Sequence, residues 1–301
     1  MADRRGNSVE RYYASKKKQQ KKRKVRLYFF LSLFVVAAFI ILSLTVFFNI
    51  NSFEVSGNHI YSDAQIITAA GLGQGDNLFR LNKFKIAEKM VVELPYLGSV
   101  NIYRKLPTTL CIEVQETQAR FVAYNNGRFV LMDSSLKVLE VLDELPQGAA
   151  YLIGVKLSDA TPGNKAVFEK ETLEQTVNTL IQGLQDNFDY EKVSAIDMTE
   201  LHALRVYYDN HRVKVLLGNT EHLKEKLQLA QNAISQNGLS EKARIDITGG
   251  NAAYYRVLEE EETDDPEQML LGKAKAKEDK AYQKGQEEES SENEKTDEQE
   301  T

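Results

Sequence analysis

Residues 27–48, LYFFLSLFVVAAFIILSLTVFF, contain no charged side chain, and this run constrains everything on either side of it. About 22 residues at about 1.5 Å each span roughly 33 Å, enough for a hydrocarbon core of about 30 Å. Lipid offers no hydrogen bonds, so a segment there must satisfy its backbone internally, and the run is predicted to be a helix. Its hydroxyls (Tyr28, Ser32, Ser43, Thr45) are its polar members. The segment is apolar on every face and a basic block abuts one end, which favours a membrane span over a buried core helix.

Residues 1–26 are polar and basic, with Lys16, Lys17, Lys18 and the KKRK of residues 21–24 leading to Arg26; the far side opens with Asn49, Asn51 and Glu54. That asymmetry places residues 1–26 in the cytoplasm and the chain beyond residue 48 outside it. Such a cluster also suits a nuclear signal or a nucleic-acid arm. Anionic headgroups account for it, at about 1 kcal/mol per basic residue. A cleaved signal peptide would have an apolar run of about 7–15 residues. The FFNINSFEV at residues 47–55 lacks the small-residue cleavage pattern. The expectation is a permanent single-pass type II anchor in the cell membrane.

The net charge of −6 hides three regions: a basic head, a near-balanced middle, and a stretch after Leu258 dominated by Glu, Asp, Lys, Gln and Ser. Residues 259–301 bury too little apolar surface to order themselves and are expected to form a disordered acidic tail. A short helical piece at residues 266–272 is compatible with the sequence but not demanded by it. The acidic tail argues against nucleic acid as a partner. Residues 52–258 suffice for two small domains. Cys111, the lone cysteine, cannot pair within the chain. It sits mid-strand in TTLCIEV, on the face opposite Leu110, Ile112 and Val114, and a structural role is expected.

The first outer domain is placed at residues 52–116. Phe53 and Val55 alternate with polar residues before a Gly57-Asn58 turn, giving a strand. Ser62 and Gln65 form a capping-box pattern ahead of a helix that Gly71 stops. GLGQGDN (residues 71–77) reads as a loop. A second helix begins near Asn82, with Phe84, Ala87, Met90, Val91 and Leu94 at helical spacing up to Pro95. Strands at 100–105 and 109–116 complete a β-α-α-β-β order, in which both helices can cover one face of a three-stranded sheet. FEVSGNHIYS (53–62), NLF (77–79), LPYLGSV (94–100) and RKLPTTLCIEVQE (104–116) occur in this order just beyond the anchor. Together they resemble the POTRA domain of the bacterial cell-division proteins FtsQ and DivIB, and the resemblance extends into the next domain.

That second domain, residues 117–258, is expected to be mixed α/β with a largely antiparallel sheet. Short strands are predicted at 121–124, 129–132, 138–141 and 151–155, with an Asn-Asn-Gly hairpin signal at 125–127. A helix is predicted at 172–185, then strands at 193–198, 204–208 and 213–217, a helix at 223–237, and extended segments at 244–248 and 253–257. The predicted fold class is α+β: one transmembrane helix, a POTRA domain, a mixed β domain and disordered tails.

No chemistry-bearing constellation emerges. His59, His202, His211 and His222 lack zinc-ligand spacing and read as solvated surface residues. GLGQGDN comes after a helix and lacks the Lys-Ser/Thr of a phosphate loop. Asp133, Asp159, Asp197, Asp209 and Asp246 form no acid/base pair, and no G-x-S-x-G elbow occurs. No catalytic residue, metal or cofactor is expected, and the chain is read as a non-enzyme.

Binding remains. The last strand, AYYRV (253–257), is expected at a sheet edge, where an extended partner segment can add as another strand. A central position, with its tyrosines in the core, is the alternative. The candidate partner-binding residues are Ile245, Asp246, Ile247, Ala253, Tyr254, Tyr255, Arg256 and Val257. The resemblance implies capture of the small coiled-coil proteins DivIC (FtsB) and FtsL and a scaffold role at the division septum. There the chain would position and regulate the septal peptidoglycan synthase complex. It also implies a role for the first domain in septal recruitment. The rivals are a POTRA-bearing translocation subunit, which needs lipid-facing β-strands, and a membrane-anchored cell-wall enzyme, which needs converging reactive groups.

Overall fold

The computed structural model describes residues 6–238, 241–259 and 262–273. Helix α1 (Gly6–Phe47) runs through the apolar stretch, and the 22 residues Arg26–Phe47 are long and apolar enough to cross a membrane. The basic head, expected to be disordered, is helical from Gly6 on. Its Lys, Arg and Gln are good helix formers, and they extend a helix already nucleated by the span.

Beyond α1 come strand β1 (Ser52–Ser56), helices α2 (Asp63–Ala70) and α3 (Lys83–Glu93), and strands β2 (Leu97–Lys105) and β3 (Thr109–Glu116), in the β-α-α-β-β order expected of a POTRA domain. The sheet order is β1-β3-β2, with β1 and β3 parallel. Ser62 and Gln65 make both bonds of the capping box, and Gly71 ends α2 in the left-handed conformation. Gly57 also has positive φ, and a Cβ there would lie 2.0 Å from the Val114 carbonyl oxygen, so no other residue fits the turn. Ile50, Ile66, Leu78, Met90, Ile102, Leu110 and Ile112 are buried. The described residues form two compact units, one of residues 6–90 with 99–116, the other of 91–98 with 117 onward.

Glu116 locks the turn after β1. Its side chain is only 8 % exposed and accepts the backbone N–H groups of His59, Ile60 and Tyr61 at 2.9–3.1 Å. Burial works against the charge, but the three donors outweigh it and hold the carboxyl below the usual carboxylate range. The stabilisation is therefore present above the unfolded pKa and disappears as pH falls through the lower folded value. We expect the first outer unit to lose stability below about pH 4.5. Glu116→Gln should flatten that dependence, as read from amide exchange at Ile60 and Tyr61 across the titration.

The strands of the second unit are β4 (Phe121–Asn125), β5 (Arg128–Met132), β6 (Val138–Leu142), β7 (Ala150–Ile153), β8 (Leu157–Asp159), β9 (Val167–Phe168), β10 (Val193–Asp197), β11 (Leu204–Tyr208), β12 (Val213–Gly218), β13 (Ala243–Asp246) and β14 (Tyr254–Val257). Among the described residues nine of them form one sheet in the order β14-β13-β12-β11-β10-β7-β4-β5-β6, and β8 and β9, which the sequence reading did not anticipate, pair separately. The β13/β12, β10/β7 and β7/β4 pairs are parallel, and the β14/β13, β12/β11, β11/β10, β4/β5 and β5/β6 pairs are antiparallel. One face is covered by helices α4 (Glu171–Asn187) and α5 (Leu223–Asn237), whose Val177, Leu180, Leu184, Leu227 and Ala230 join the main core.

The other face is covered by a segment expected to be solvated. Beyond β14, helix α6 (Pro266–Leu270) buries Met269 and Leu270 against Val122, Leu131, Ile153, Ala195 and Tyr207. Asp265 caps α6 by accepting from the Gln268 N–H, with proline at its start. Three apolar residues, Met269, Leu270 and Leu271, suffice to seat a short amphipathic turn on an apolar sheet face, which composition averaged over the whole acidic stretch conceals. The expected disordered tail from residue 259 is thus corrected for residues 262–273; residues 274–301 lie outside the described residues.

Candidate functional site

The predicted binding residues fall on β13, β14 and the turn between them, and the sheet separates them into two groups. Ile245 and Ile247 are fully buried in the main core, one strand in from the edge. Asp246 is also buried, and its Oδ1 accepts from the Thr248 backbone N–H and hydroxyl at 3.0 and 2.7 Å. These three side chains hold the edge strand in place. Ala253 and Tyr255 pack partly against the same core, whereas Tyr254 is 71 % exposed and Val257 is also exposed. Arg256 reaches the Glu262 carboxylate at 3.2 Å.

Hydrogen-bond alternation decides what β14 offers outward. The Leu258 N–H donates to the Lys242 carbonyl at 2.8 Å, and Arg244 pairs with Arg256 and Asp246 with Tyr254. In an antiparallel ladder every second residue faces its partner. The backbone groups of Arg256 and Tyr254 therefore face β13, and those of Tyr255 and Val257 face away from the sheet. Among the described residues, no backbone bond reaches those outward groups. The opposite edge is different. The N–H of β6 residue Val138 donates to Asn164, its carbonyl accepts from Gly163, and the Val141 carbonyl accepts from Arg128.

The strap of residues 262–271 belongs to this site, and sequence reasoning missed it. Tyr207, Lys214, Arg244 and Arg256 stand opposite one another across β11, β12, β13 and β14, forming a row with three cations on the face that α6 covers. Glu262 meets Arg256, and Asp264 meets Lys214 at 3.2 Å while accepting the Tyr207 hydroxyl at 2.6 Å. The Lys214 and Asp264 side chains are 4 % and 1 % exposed. Burial, followed by the Asp264 charge, pushes the Tyr207 hydroxyl well above its ordinary pKa, so it stays a donor. The basic residues spaced along three strands and the acidic run after them were the available signal.

The acids weighed for catalysis serve turns. Asp133, Asp197 and Asp246 each accept from the backbone N–H and hydroxyl of the Ser or Thr two residues on, the local bond that fixes strand exits. His59, His202 and His222 are exposed, as expected, but His211 is not a solvated residue. Its ring lies against Tyr151 and Tyr207, its Nδ1 is 3.0 Å from the Ser194 hydroxyl, and burial lowers its pKa despite nearby Asp265. Three hairpin residues at positive φ, Asp209, Asn210 and His211 itself, turn it back over the strands. Among the described residues no three His, Cys, Asp or Glu side chains are grouped to hold a metal.

Cys111 is buried, and burial followed by the neighbouring Glu54 carboxylate raises its thiol pKa. Its Sγ donates to Glu54 at 3.5 Å, and Glu54 also receives Lys105 at 2.7 Å. We expect Cys111 to react with a thiol reagent at about neutral pH at least a hundredfold more slowly in the folded chain than after denaturation. Comparable rates would place it in a reactive, accessible setting.

Residues 48–117 match the model of the POTRA domain, FtsQ-type, and residues 121–248 match that of the cell division protein FtsQ/DivIB C-terminal domain. The chain is 30 % identical over 211 residues to the cell division protein DivIB of Clostridium acetobutylicum, covering 69 % of this chain and 83 % of that one. DivIB of Clostridium botulinum (strain Hall) is 26 % identical over 230 residues, covering 75 % and 89 % respectively. The FtsQ of Corynebacterium glutamicum is 29 % identical over 119 residues, covering 39 % and 50 %. A capped β-α-α-β-β unit following an apolar helix, then a mixed sheet ending on an edge strand, together with these matches, make the chain a member of the FtsQ/DivIB family of bacterial cell-division proteins.

Proposed function

We propose that this chain is a membrane-tethered scaffold of the division machinery that works through docking surfaces rather than catalysis. Residues 1–26 lie in the cytoplasm and residues 27–48 cross the membrane. The POTRA domain (52–116) and β domain (117–258) stand outside, at the septum. The Lys/Arg block on one side of the span supports that orientation.

The free outer edge of β14 carries the proposal. Its outward N–H and C=O groups at Tyr255 and Val257 take up an extended segment of a partner as an additional strand, and exposed Tyr254 adds apolar area with a polar tip. Family resemblance points to DivIC (FtsB)- and FtsL-type proteins as the partners and to septal peptidoglycan synthesis as the process positioned and regulated.

The test is a photo-crosslinking scan of the full chain in dividing cells, comparing positions 253–257 on β14 with positions 138–142 on β6. Crosslinks to the DivIC- or FtsL-type partner concentrated on β14 are expected. Crosslinks concentrated on β6, or absent from β14 while the partners still co-purify, would remove the edge-strand mechanism.

A further inference from the structure

The first outer unit is joined to the end of the apolar helix by more than the chain. Helix α1 ends at Phe47, so the carbonyls of its last turn have no partners within it. The Asn77 side-chain amide donates to two of them, Leu44 at 2.9 Å and Thr45 at 3.3 Å, and also lies 3.2 Å from the Asn49 side-chain oxygen. Backbone bonds extend the joint: Leu78 N–H to the Phe48 carbonyl at 2.9 Å and Ile50 N–H to the Asp76 carbonyl at 2.8 Å. The Phe79 ring packs edge-on against Phe48 at 5.1 Å, with the Arg104 guanidinium over it. Carbonyls at a membrane boundary are costly to leave without partners. The loop after α2 thus acts as a cap for α1.

This joint fixes the height of the residues next to it. The apolar run is about as long as a hydrocarbon core is thick, which puts its end, and Phe79 with it, at the level of the headgroups. Four residues lie between Phe79 and Phe84, so the two are at most about 18 Å apart. Phe84, in the first turn of α3, is 86 % exposed. Arg80 and Lys85 around it are exposed, and Lys83 partly so. A single exposed phenylalanine is unremarkable on a protein surface. One flanked by three cations and tied to the end of a membrane-length helix has the composition of an interfacial anchor.

We propose that the loop and first turn of α3 form a second membrane contact. Phe84 inserts at the headgroup–acyl boundary, and Arg80, Lys83 and Lys85 bind anionic phospholipid headgroups. The inference rests on α1 crossing the bilayer, which is part of the function proposed above. Its consequence is that the POTRA domain lies against the membrane in a set orientation instead of swinging on a linker.

The chain contains no tryptophan, so Phe84→Trp gives a unique reporter, and Phe34→Trp, well inside the apolar span Arg26–Phe47, gives one for the span. Each full-length variant is placed in nanodiscs containing lipids brominated along the acyl chain, with and without anionic phospholipid. For the Phe84→Trp variant we expect at least about a twofold loss of indole emission in anionic discs, less in zwitterionic discs, and recovery when Arg80→Glu and Lys85→Glu are added. Quenching of the Phe34→Trp variant without quenching of the Phe84→Trp variant would overturn the second contact and leave the anchor standing. Equal quenching of the Phe84→Trp variant in both lipids would overturn headgroup recognition. No quenching of the Phe34→Trp variant would overturn the anchor and this contact together.

Discussion

Asp264→Ala is expected to destabilise the nine-stranded unit by about 3–5 kcal/mol, because it leaves the Lys214 charge buried without the Asp264 carboxylate. Domain stabilities are about 5–15 kcal/mol, so the loss is a large share, and a drop of roughly 10 °C in Tm should accompany it. The Tyr207 hydroxyl loses its carboxylate acceptor in the same substitution and keeps only the weak Met269 sulfur at 3.8 Å among the described residues. Asp264→Asn should cost less, since the amide oxygen still accepts from Tyr207. The combined change Lys214→Met, Asp264→Leu and Tyr207→Phe removes charge and hydrogen-bond demand together and should recover most of the loss, because a buried pair gains little net stability over an apolar replacement. A stable Asp264→Ala variant with unchanged urea midpoint would mean that residues 262–271 leave the sheet in solution. Because Glu262 of the strap holds Arg256 on β14, amide exchange at Tyr254–Val257 should rise in the same variant.

Val257→Pro is expected to weaken binding of the strand-adding partner by about 2–4 kcal/mol, roughly 30- to 1000-fold in Kd. Proline removes the outward N–H and leaves a partner carbonyl unsatisfied inside the new ladder. Val257 is exposed and its N–H faces away from β13, so the unit itself should remain folded. Arg256→Pro is the informative contrast. Its N–H faces β13, so it should disturb the existing sheet and lower Tm before any question of binding arises. Tyr255→Pro shares the outward geometry but also gives up packing on the main core. Binding lost equally at 256 and 257 with both variants folded, or retained at 257, would show that the partner does not read the backbone of this edge.

Much of the architecture is legible in advance because it is written in local chemistry. Ser62 and Gln65 mark a helix start, Gly71 a helix end, and Asn126 and Gly127 a hairpin, each by bonds or dihedrals confined to a few residues. The alternation in TLCIEVQE places β3 correctly, and that in LRVYY places β11. His211 escapes such reading because its turn neighbours resemble any exposed hairpin. Only the folding of that hairpin over Tyr151 and Tyr207 half-buries it. The acidic stretch escapes it for a related reason. An average over many charged residues hides the few positions at which Glu262, Asp264, Met269 and Leu270 find partners on β7, β11, β12 and β14.

The membrane-length helix, most of the elements beyond it and the family resemblance are legible along the chain, since all three depend on composition and spacing; the short strands β8 and β9 and the seating of α6 are not. Long-range pairing sets the rest: Tyr255 and Val257 of β14 keep outward backbone groups, Val138 of β6 is bonded to residues 163 and 164, Ile245 and Ile247 are core residues, and Asn77 caps the helix some thirty residues before it. Strand order, and with it which backbone groups are left facing outward, arises from pairings between residues far apart in the chain. Local patterns say that a strand exists, but they carry no information about its neighbours.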